Sequence, residues 1–369
     1  MPDAEGLRSA MVRFLDGDNE SRIARKRHRS RIIILLGIVL TVVMGMISLC
    51  VGQDNVIGPI EALSNLFSAI GKDTADLTKL ETLVYYDRLP RLIMTLSAGI
   101  GLSIAGATYQ AMIRNPLVDP YIMGVSSGAG TFAIATIALD FTFFGLISAT
   151  SPYLTAASAL VGGILAFSVT MIIANRAGST TNSFVLAGVV VGLLFSAAQT
   201  VMIKFADDKV VNAMTWLFGS FANTTLTEAG IVAISVAVTT ILVMTRAKEL
   251  NLILLGQDQA SQMGLNVKRF NIVMLIVASI MASVCVAFVG IIGFVGLVIP
   301  HLCRMIFGGD HRLVLPASIA LGAPLMIAAD LLARMVIHAQ ELPVGTITTI
   351  IGVPVFAYLL MKRGKMYNG

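Results

Sequence analysis

Residues 88–120 begin with Arg88-Leu-Pro-Arg91, continue with twenty-two uncharged residues from Leu92 to Ile113, and end with Arg114-Asn-Pro-Leu-Val-Asp-Pro120. As an α-helix the uncharged stretch is roughly 33 Å long, because each residue adds about 1.5 Å. That length matches the hydrocarbon core of a bilayer. The stretch therefore predicts one membrane crossing whose two ends carry different charged motifs.

The composition assigns the whole chain to the membrane proteins. Of its 369 residues, 56% are hydrophobic and only 13% are charged, whereas a soluble domain carries about 25% charged residues. Backbone that faces lipid must satisfy its own hydrogen bonds, so an apolar chain of this length predicts an all-α, polytopic bundle. The formal net charge of +5 does not indicate nucleic acid binding, because the basic residues lie at the ends of apolar runs. Membrane lipid is the expected surrounding.

The apolar runs predict about ten transmembrane helices. The gap at 291–293 is the weakest separation between two of them. The connector at 206–227 carries the only tryptophan, Trp216, and has room for a short re-entrant or interfacial helix. The predicted crossings are residues 32–50, 90–113, 121–140, 152–174, 184–205, 228–247, 270–290, 293–307, 313–336 and 345–362.

The basic residues predict the orientation of this bundle. The apolar run 32–50 follows a basic stretch but is too long for a signal peptide, so we interpret it as a retained first helix. With ten crossings, nineteen of the 26 Lys and Arg residues fall on the side of the N-terminus, and this bias places both termini in the cytoplasm. We expect a multi-pass protein of the plasma or inner membrane, with a basic cytoplasmic tail at 1–31, a transmembrane domain at 32–362 and a cytoplasmic end at 363–369.

Two connectors are long enough to hold structure of their own. The predicted outer loop, 51–87, is rich in Asp and Glu. The predicted inner segment, 248–268, is amphipathic and indicates one or two short helices that lie across the cytoplasmic face, where they suit a groove on a soluble partner. The alternative is a helix bound to the membrane surface. Such a helix is expected to carry basic residues, and none lies between Glu249 and Val267.

No pattern in the sequence indicates an enzyme. The phosphate-binding loop GxxxxGK[ST] and the zinc motif HExxH are both absent. The four histidines are scattered, and the closest His/Cys pair, His301 and Cys303, has a spacing that points the side chains apart on a helix. The three cysteines lie in apolar segments and indicate small core residues. We therefore expect no catalytic residue, no metal site and no cofactor in this chain.

One acidic residue, Asp330, falls inside a predicted crossing. Arg334 lies four residues further on, on the same face of the helix. A local ion pair explains both residues, and we favour it over a proton relay, because a relay needs a chain of such groups. An ion-coupled secondary carrier remains the first alternative for the function of the chain. An intramembrane enzyme such as a lipid-modifying transferase is the second, although no His/Asp/Glu cluster is visible.

An ordered set of motifs resembles the permeases of type II ABC importers, the FecCD-type family of iron–siderophore, haem and cobalamin uptake. The set covers about residues 88–362. Its members are Arg88-Leu-Pro-Arg91, Gly106-x-x-x-Gln110, Arg114-Asn-Pro-Leu-x-x-Pro120, Gly124-Val-Ser-x-Gly-Ala129, Leu255-Gly256 through Leu265, Gly293-Phe-Val-Gly-Leu-Val-Ile-Pro-His301, Asp310-His-Arg312 and Glu341-Leu-Pro-x-Gly345. The resemblance implies the type II permease fold.

The resemblance also implies three kinds of site. Outer arginines are expected to meet acidic residues of a substrate-binding protein, and the matching residues are Arg88, Arg91 and Arg334. The segment 248–268 is expected to dock on the ATPase, and we call it the coupling segment; its matching residues are Leu254, Leu255, Gly256, Ala260, Met263, Gly264 and Leu265. A cytoplasmic gate is expected at Asn115, Leu117, Ser179 and Thr180.

The function that follows is the membrane subunit of an ATP-driven importer. Two copies of a separate ATPase, which uses ATP and Mg²⁺, are expected on the cytoplasmic side and one binding protein on the outer side. The chain is expected to form a homodimer with the pathway between its subunits, and to perform no chemistry itself. A ferric siderophore is the first expectation for the substrate, with haem and cobalamin as alternatives.

Overall fold

A computed structural model describes residues 30–52, 55–139, 151–337 and 340–367. Within these residues the chain is helical, and the one β feature is an isolated antiparallel bridge between Val51 and Val56. Most of the predicted tail 1–31 lies outside the described residues.

Seven helices of the described residues are long and apolar enough to cross a membrane. They are α1 (Ser30–Cys50), α4 (Leu89–Met112), α6 (Pro152–Arg176), α7 (Thr181–Lys204), α9 (Leu226–Thr245), α12 (Val267–Val289) and α14 (His311–Met335). Three apolar helices contain shorter spans, and these are α5 (Val125–Leu139), α13 (Val295–Phe307) and α15 (Val344–Tyr367). Each of the ten coincides with a predicted crossing, which confirms the all-α polytopic fold.

Five further α-helices of the described residues lie between the crossings. Two of them, α2 and α3, lie in the predicted outer loop, and α8 lies in the connector that holds Trp216. The last two form the coupling segment. Their bounds are α2 (Pro59–Ala69), α3 (Lys79–Thr82), α8 (Val210–Phe218), α10 (Ala247–Leu254) and α11 (Gln257–Gln262).

Helix α4 is the centre of the bundle. Twenty of its 24 residues are buried, and it packs against α9, α12, α13 and α14. Small side chains allow this, because helices in lipid associate through close backbone approach. A Cβ atom at Gly99 would lie 2.5 Å from the carbonyl oxygen of Gly322 on α14, and a Cβ atom at Gly106 would overlap the carbonyl oxygen of Gly296 on α13. The small residues of the opening stretch therefore pack helices within one chain.

The weak separation between the crossings at 270–290 and 293–307 is a break in the helix. Phe294, just before α13, has a φ of +68°. Beside the break, the turn after α8, the end of α12 and the start of α15 approach one another at Gly219, Gly290 and Gly345. The amide of Ser220 donates to the carbonyl of Val289 at 2.9 Å, and the amide of Val344 donates to the carbonyl of Gly219 at 3.1 Å. Side chains at the glycines would prevent this approach, since a Cβ at Gly345 would lie 2.5 Å from the carbonyl oxygen of Phe218. The first of these hydrogen bonds therefore satisfies the carbonyl of Val289, the last residue of α12.

The helices alternate in direction, so their ends form two faces. We call the end that carries Arg91, Arg334 and Glu341 the Arg91 face, and the end that carries Ser179 and Gln257 the Gln257 face. The sequence predicts that the Arg91 face is outside and the Gln257 face is cytoplasmic. This orientation stays a prediction.

Replacement of Gly106 by alanine tests the packing of α4. We expect Gly106→Ala to destabilise the protein by about 1–3 kcal/mol, because the added methyl group meets the backbone of α13 and overpacks the interface. The measurement is the thermal unfolding midpoint of the purified protein in detergent.

Gly230 in α9 supplies the matched control, since no atom lies within 4 Å of the position that its Cβ would occupy. Gly230→Ala should leave the midpoint unchanged or raise it, because alanine favours a helix over glycine by about 1 kcal/mol. Equal effects of the two substitutions would contradict the packing described here.

Candidate functional site

The Arg91 face is built around a bidentate and almost fully buried arginine. The Nε and Nη2 atoms of Arg91 donate to the Oδ1 atom of Asp330 at 3.1 and 2.8 Å. The Nη1 and Nη2 atoms also donate to the two carboxylate oxygens of Glu341, at 2.8 and 2.9 Å. Paired, charge-assisted hydrogen bonds of this kind are about twice as strong as neutral ones. Arg91 thereby joins α4, α14 and the segment that precedes α15.

Arg334 extends this cluster to a fourth segment. Its Nη2 atom lies 3.0 Å from the Oδ2 atom of Asp330 and donates to the hydroxyl of Ser48 at 2.8 Å, while Nη1 donates to the carbonyl of Val51 at 3.0 Å. The ion pair predicted between Asp330 and Arg334 is thus confirmed. Asp330 is fully buried and lies between two guanidinium groups, which supports the structural interpretation over a proton relay.

Arg88 is also used inside the chain. Its Nη1 atom donates to the carbonyls of Leu49 and Cys50, both at 2.8 Å, and Nη2 donates to the carbonyl of Asn55 at 3.1 Å. The three arginines that were expected to dock a binding protein are therefore buried, with exposed fractions of 2% for Arg88, 6% for Arg91 and 4% for Arg334. Docking through these arginines stays a prediction. In the structure their guanidinium groups bind partners within the chain.

A polar cavity of about 260 Å³ lies beside these arginines. Its walls include all three guanidinium-bearing residues together with Asp87, Asn223 and Glu341. Glu341 keeps 24% of its side chain exposed, whereas Asp330 keeps 1%. Of the two carboxylates bound to Arg91, Glu341 is the one that lines the cavity.

The coupling segment forms two short helices, as the sequence predicts. Gly256, with a φ of +116°, separates α10 from α11, and Gly264, with a φ of +89°, follows α11. Both angles favour glycine. Ala260 is fully buried and holds α11 against the bundle, while Leu265 is partly buried. Three large apolar side chains project outward, with exposed fractions of 43% for Leu254, 56% for Leu255 and 63% for Met263.

Two of the four predicted gate residues line a large cavity beside the coupling segment. Ser179 and Thr180 share a cavity of about 900 Å³ with Gln257, Asp258 and Ser261 of α11. Asn115 and Leu117 are not in its lining. They belong to the preceding turn, where the side-chain oxygen of Asn115 accepts from the amide of Leu117 at 3.0 Å.

A side-chain hydrogen bond connects the loop of Ser179 and Thr180 to the end of the helix that precedes Asn115 and Leu117. The hydroxyl of Thr181 donates to the carbonyl of Ile113 at 2.9 Å, so the loop that holds Ser179 and Thr180 is tied to the end of α4. Arg114 and Ser179, which both line the cavity, have left-handed backbones with φ of 52° and 56°. This conformation is uncommon for residues other than glycine. The gate role of the four residues stays a prediction.

Asp119 lies in the same turn and was not singled out from the sequence. Its carboxylate caps the following 3₁₀ turn by accepting from the amide of Tyr121 at 2.8 Å. Burial raises the pKa of Asp119 to about 6, against the opposing effect of this hydrogen bond. The signal available in the sequence was the Asp-Pro dipeptide, which marks a turn.

The family comparison places these features in one group of proteins. Residues 39–362 match the family described as the FecCD transport family. The chain belongs to the FecCD transport family. The resemblance inferred from the ordered motifs is therefore confirmed, together with the fold of a type II ABC importer permease.

Individual FecCD relatives cover most of the chain. A Fe(3+)-citrate import system permease protein of Bacillus subtilis is 34% identical and covers 93% of this chain and 99% of its own length. A cobalamin import system permease protein of Halobacterium salinarum is 36% identical over 75% of this chain and 72% of its own length. The solved structure of an inward-facing transporter, described as being of the metal-chelate type, is 26% identical with a TM-score of 0.75, covering 89% of this chain and 99% of the other.

The Arg91 face of this FecCD chain contains one ion pair that sequence spacing predicts and another that it does not. Arg334 lies one helical turn from Asp330, so their pairing can be read from the sequence. Arg91 and Glu341 are 250 positions apart, and no local pattern connects them. The motif Glu341-Leu-Pro-x-Gly345 marked the position of Glu341 but not its partner.

Substitutions of the two carboxylates should separate their contributions to stability. Asp330→Asn leaves two buried guanidinium groups without their shared counter-charge, and breaking a buried pair in this way costs about 3–5 kcal/mol. Glu341→Gln should cost less, because Glu341 is partly exposed and Arg91 keeps Asp330. Thermal unfolding of the two purified variants measures the difference. A larger loss for Glu341→Gln would show that Asp330 is not the centre of the cluster.

Proposed function

We propose that this chain is the membrane-spanning permease subunit of an ATP-driven importer of metal chelates, with a ferric siderophore as substrate. The observation that carries the proposal is the exposed apolar surface of the coupling segment on a FecCD permease. The chain performs no chemistry; two copies of a separate ATPase hydrolyse ATP with Mg²⁺, and an extracytoplasmic binding protein captures the chelate.

The ATPase is proposed to dock on Leu254, Leu255 and Met263. Apolar side chains with this exposure, in a stretch with no basic residue between Glu249 and Val267, suit a groove on a protein better than a lipid surface. The adjacent cavity of about 900 Å³ leaves room for α11 to move toward the loop of Ser179 and Thr180. Through such a movement, the nucleotide state of the ATPase would change the conformation of the proposed gate.

The homodimer is proposed to form along α7. This helix is 24 residues long, yet only 17% of the residues in its most apolar stretch are buried within the chain. Its exposed positions include polar residues, Ser196 and Thr200, among apolar ones such as Leu193. Polar side chains in a membrane-spanning helix usually face a bundle interior or a water-filled cavity. A second copy of the chain and a pathway between the copies would provide both.

The binding protein is proposed to dock on the Arg91 face. The face carries three arginines, and the cavity of about 260 Å³ reaches all of them. With this assignment the Gln257 face and both termini are cytoplasmic, in the plasma or inner membrane, with the transmembrane domain at 32–362. The positive-inside bias of the sequence supports the same orientation.

Haem and cobalamin are the alternative substrates, and an ion-coupled carrier is the alternative of a different class. The ferric siderophore is the first choice, and a relative that covers 93% of this chain is named for import of a ferric chelate. Relatives that cover 93% and 94% of this chain are named for vitamin B12 import, so cobalamin stays a full alternative. The binding protein is proposed to make the selection. Titrating it with a ferric hydroxamate, a ferric catecholate, haem and cobalamin identifies the substrate, and preferential binding of either of the last two would overturn the siderophore assignment.

Reconstitution tests the importer itself. The permease, its ATPase and its binding protein are placed in proteoliposomes, and uptake of the bound chelate is measured with ATP or with an ion gradient alone. We expect uptake with ATP and none with the gradient. Uptake driven by the gradient alone would show a secondary carrier instead.

Leu255→Asp should break the contact with the ATPase, because it places a charge on an exposed apolar surface that the partner would bury. We expect at least a tenfold loss of ATPase retained by the purified permease. Ile60→Asp is the matched control, since Ile60 on α2 is 85% exposed and belongs to the opposite face. Equal retention by both variants would contradict the docking assignment.

A cysteine at Ser196 should report the homodimer. The three native cysteines are buried, so an introduced cysteine on α7 is the reactive one. We expect Ser196→Cys to give a cross-linked dimer in membranes with a short bifunctional reagent, and Val42→Cys, an exposed position on α1, to give none. A dimer through α1 alone would place the interface elsewhere.

A further inference from the structure

The side chain of Asn251 ties the coupling segment to the start of α14. Its Oδ1 atom accepts from the amide of His311 at 2.8 Å and faces the Nδ1 atom of the same histidine at 2.9 Å. Its Nδ2 atom donates to the Oδ1 atom of Asp310 at 2.7 Å. A carboxamide offers two donors and an acceptor with two lone pairs. Three of these four positions are therefore directed at two consecutive residues of another helix.

The partner side of this contact is the N-terminus of α14. Asp310 caps the helix, because its Oδ1 atom also accepts from the amide of Arg312 at 3.0 Å. His311 is fully buried. One side chain of α10 thus contacts both the capping residue and the first residue of a 25-residue helix.

The two helices of the coupling segment differ in how firmly they are attached. Helix α10 inserts Leu250 and Ile253, both fully buried, into the main core, whereas α11 inserts only the small side chain of Ala260. Leu254, at the end of α10, also lies near Gly309, where an added Cβ would be 3.4 Å from its Cδ1 atom. A force applied to α11 therefore reaches the bundle through α10 as well as through α12, and α10 is bound to α14 by Asn251.

Helix α14 continues to the opposite face of the protein. It is roughly 38 Å long at about 1.5 Å per residue. Near its middle, Gly322 lies against α4, where an added Cβ would be 2.7 Å from the carbonyl oxygen of Gly99. Near its far end, Asp330 and Arg334 belong to the cluster of the Arg91 face. The two ends of one helix are thus fixed to the coupling segment and to the arginine cluster.

We infer that Asn251 is a positioning residue that transmits the ATP-driven displacement of the coupling segment to α14, and through α14 to the Arg91 face. The inference rests on the proposed function, because it assumes that an ATPase moves the coupling segment. It identifies the residue through which that movement is transmitted from the coupling segment to α14. Packing at Leu250 and Ile253 holds α10 to the bundle, and the directional hydrogen bonds of Asn251 select α14 as the helix that follows α10.

The test uses the complete complex of permease, ATPase and binding protein. Hydrogen exchange is compared between the nucleotide-free complex and the complex trapped with ATP and vanadate. In the unmodified protein we expect trapping to change the exchange of amides in both 254–265 and 311–315. In Asn251→Ala we expect the change in 254–265 to persist and the change in 311–315 to be lost.

Transport should become uncoupled in the same variant. We expect the amount of chelate taken up per ATP hydrolysed in proteoliposomes to fall at least tenfold, while hydrolysis stays within about twofold. Asn251→Asp is the second variant, because it preserves the volume of the side chain but removes the donor and adds a like charge beside Asp310. It should show the same uncoupling.

Thr245→Ala is the matched control. Thr245 is the last residue of α9, on the same side of the protein but outside the coupling segment, and its hydroxyl donates to the carbonyl of Leu242 at 2.8 Å, so its loss removes a hydrogen bond without touching α14. This variant should keep the normal ratio of uptake to hydrolysis.

Two outcomes would overturn the inference. One is a normal exchange response at 311–315 with a normal uptake ratio in both Asn251 variants. The other is a loss of folding or complex assembly in both, which would make Asn251 a stabilising residue only. Failure of the proposed function is a separate result, because it would appear in the unmodified complex as an absence of ATP-dependent uptake.

Discussion

The pairing of Asp330 with two arginines is the interaction on which the Arg91 face depends. A charge removed from water costs several kcal/mol unless it is paired and hydrogen-bonded. Asp330 is fully buried and contacts Arg91 on α4 and Arg334 on its own helix. The same two guanidinium groups then reach Glu341 and the end of α1. One carboxylate thus fixes the relative positions of α1, α4 and α14 at this end, where lipid provides no hydrophobic force to hold helices together.

Away from that end, glycine rather than charge determines the packing. Helix α4 approaches α14 at Gly99 and α13 at Gly106 closely enough that a side chain would meet backbone atoms. The break before α13 is closed by backbone hydrogen bonds at Gly219 and Val289. The protein therefore combines an ion cluster at one face with close backbone contacts in its interior. The first specifies which helices meet, and the second specifies how closely they approach.

The sequence predicts most of the fold because membrane crossings are set by local composition. All ten apolar runs correspond to apolar helices, and the amphipathic spacing of 248–268 predicts the two short helices that Gly256 separates. The ion pair of Asp330 with Arg334 follows from helical spacing. The partners of Arg91 and Arg88 do not, because they come from distant segments or from backbone carbonyls. For this reason the sequence suggests exposed arginines, whereas folding buries them.

The contacts of Asn251 and of the predicted gate residues likewise could not be predicted from the sequence. Asn251 has no spacing relation to Asp310, and only the packing of α10 against α14 brings them together. Ser179 and Thr180 line the cavity beside α11, but Asn115 and Leu117 lie outside its lining. Thr181 bonds that loop to Ile113, at the end of α4. Motifs indicate which segments take part. The contacts between those segments are tertiary and become visible only in three dimensions.

The chemistry of the two faces matches the two kinds of partner proposed for them. The Gln257 face presents exposed leucine and methionine side chains, and apolar surfaces of this type are typical of permanent assemblies. The Arg91 face keeps its arginines buried and hydrogen-bonded within the chain, with Glu341 as the more exposed carboxylate. A partner that offers carboxylates there must compete with Glu341 for Arg91, so its net gain is small. A small net gain favours reversible contact, which is what an importer requires of a binding protein that must leave and reload, while the ATPase stays in place.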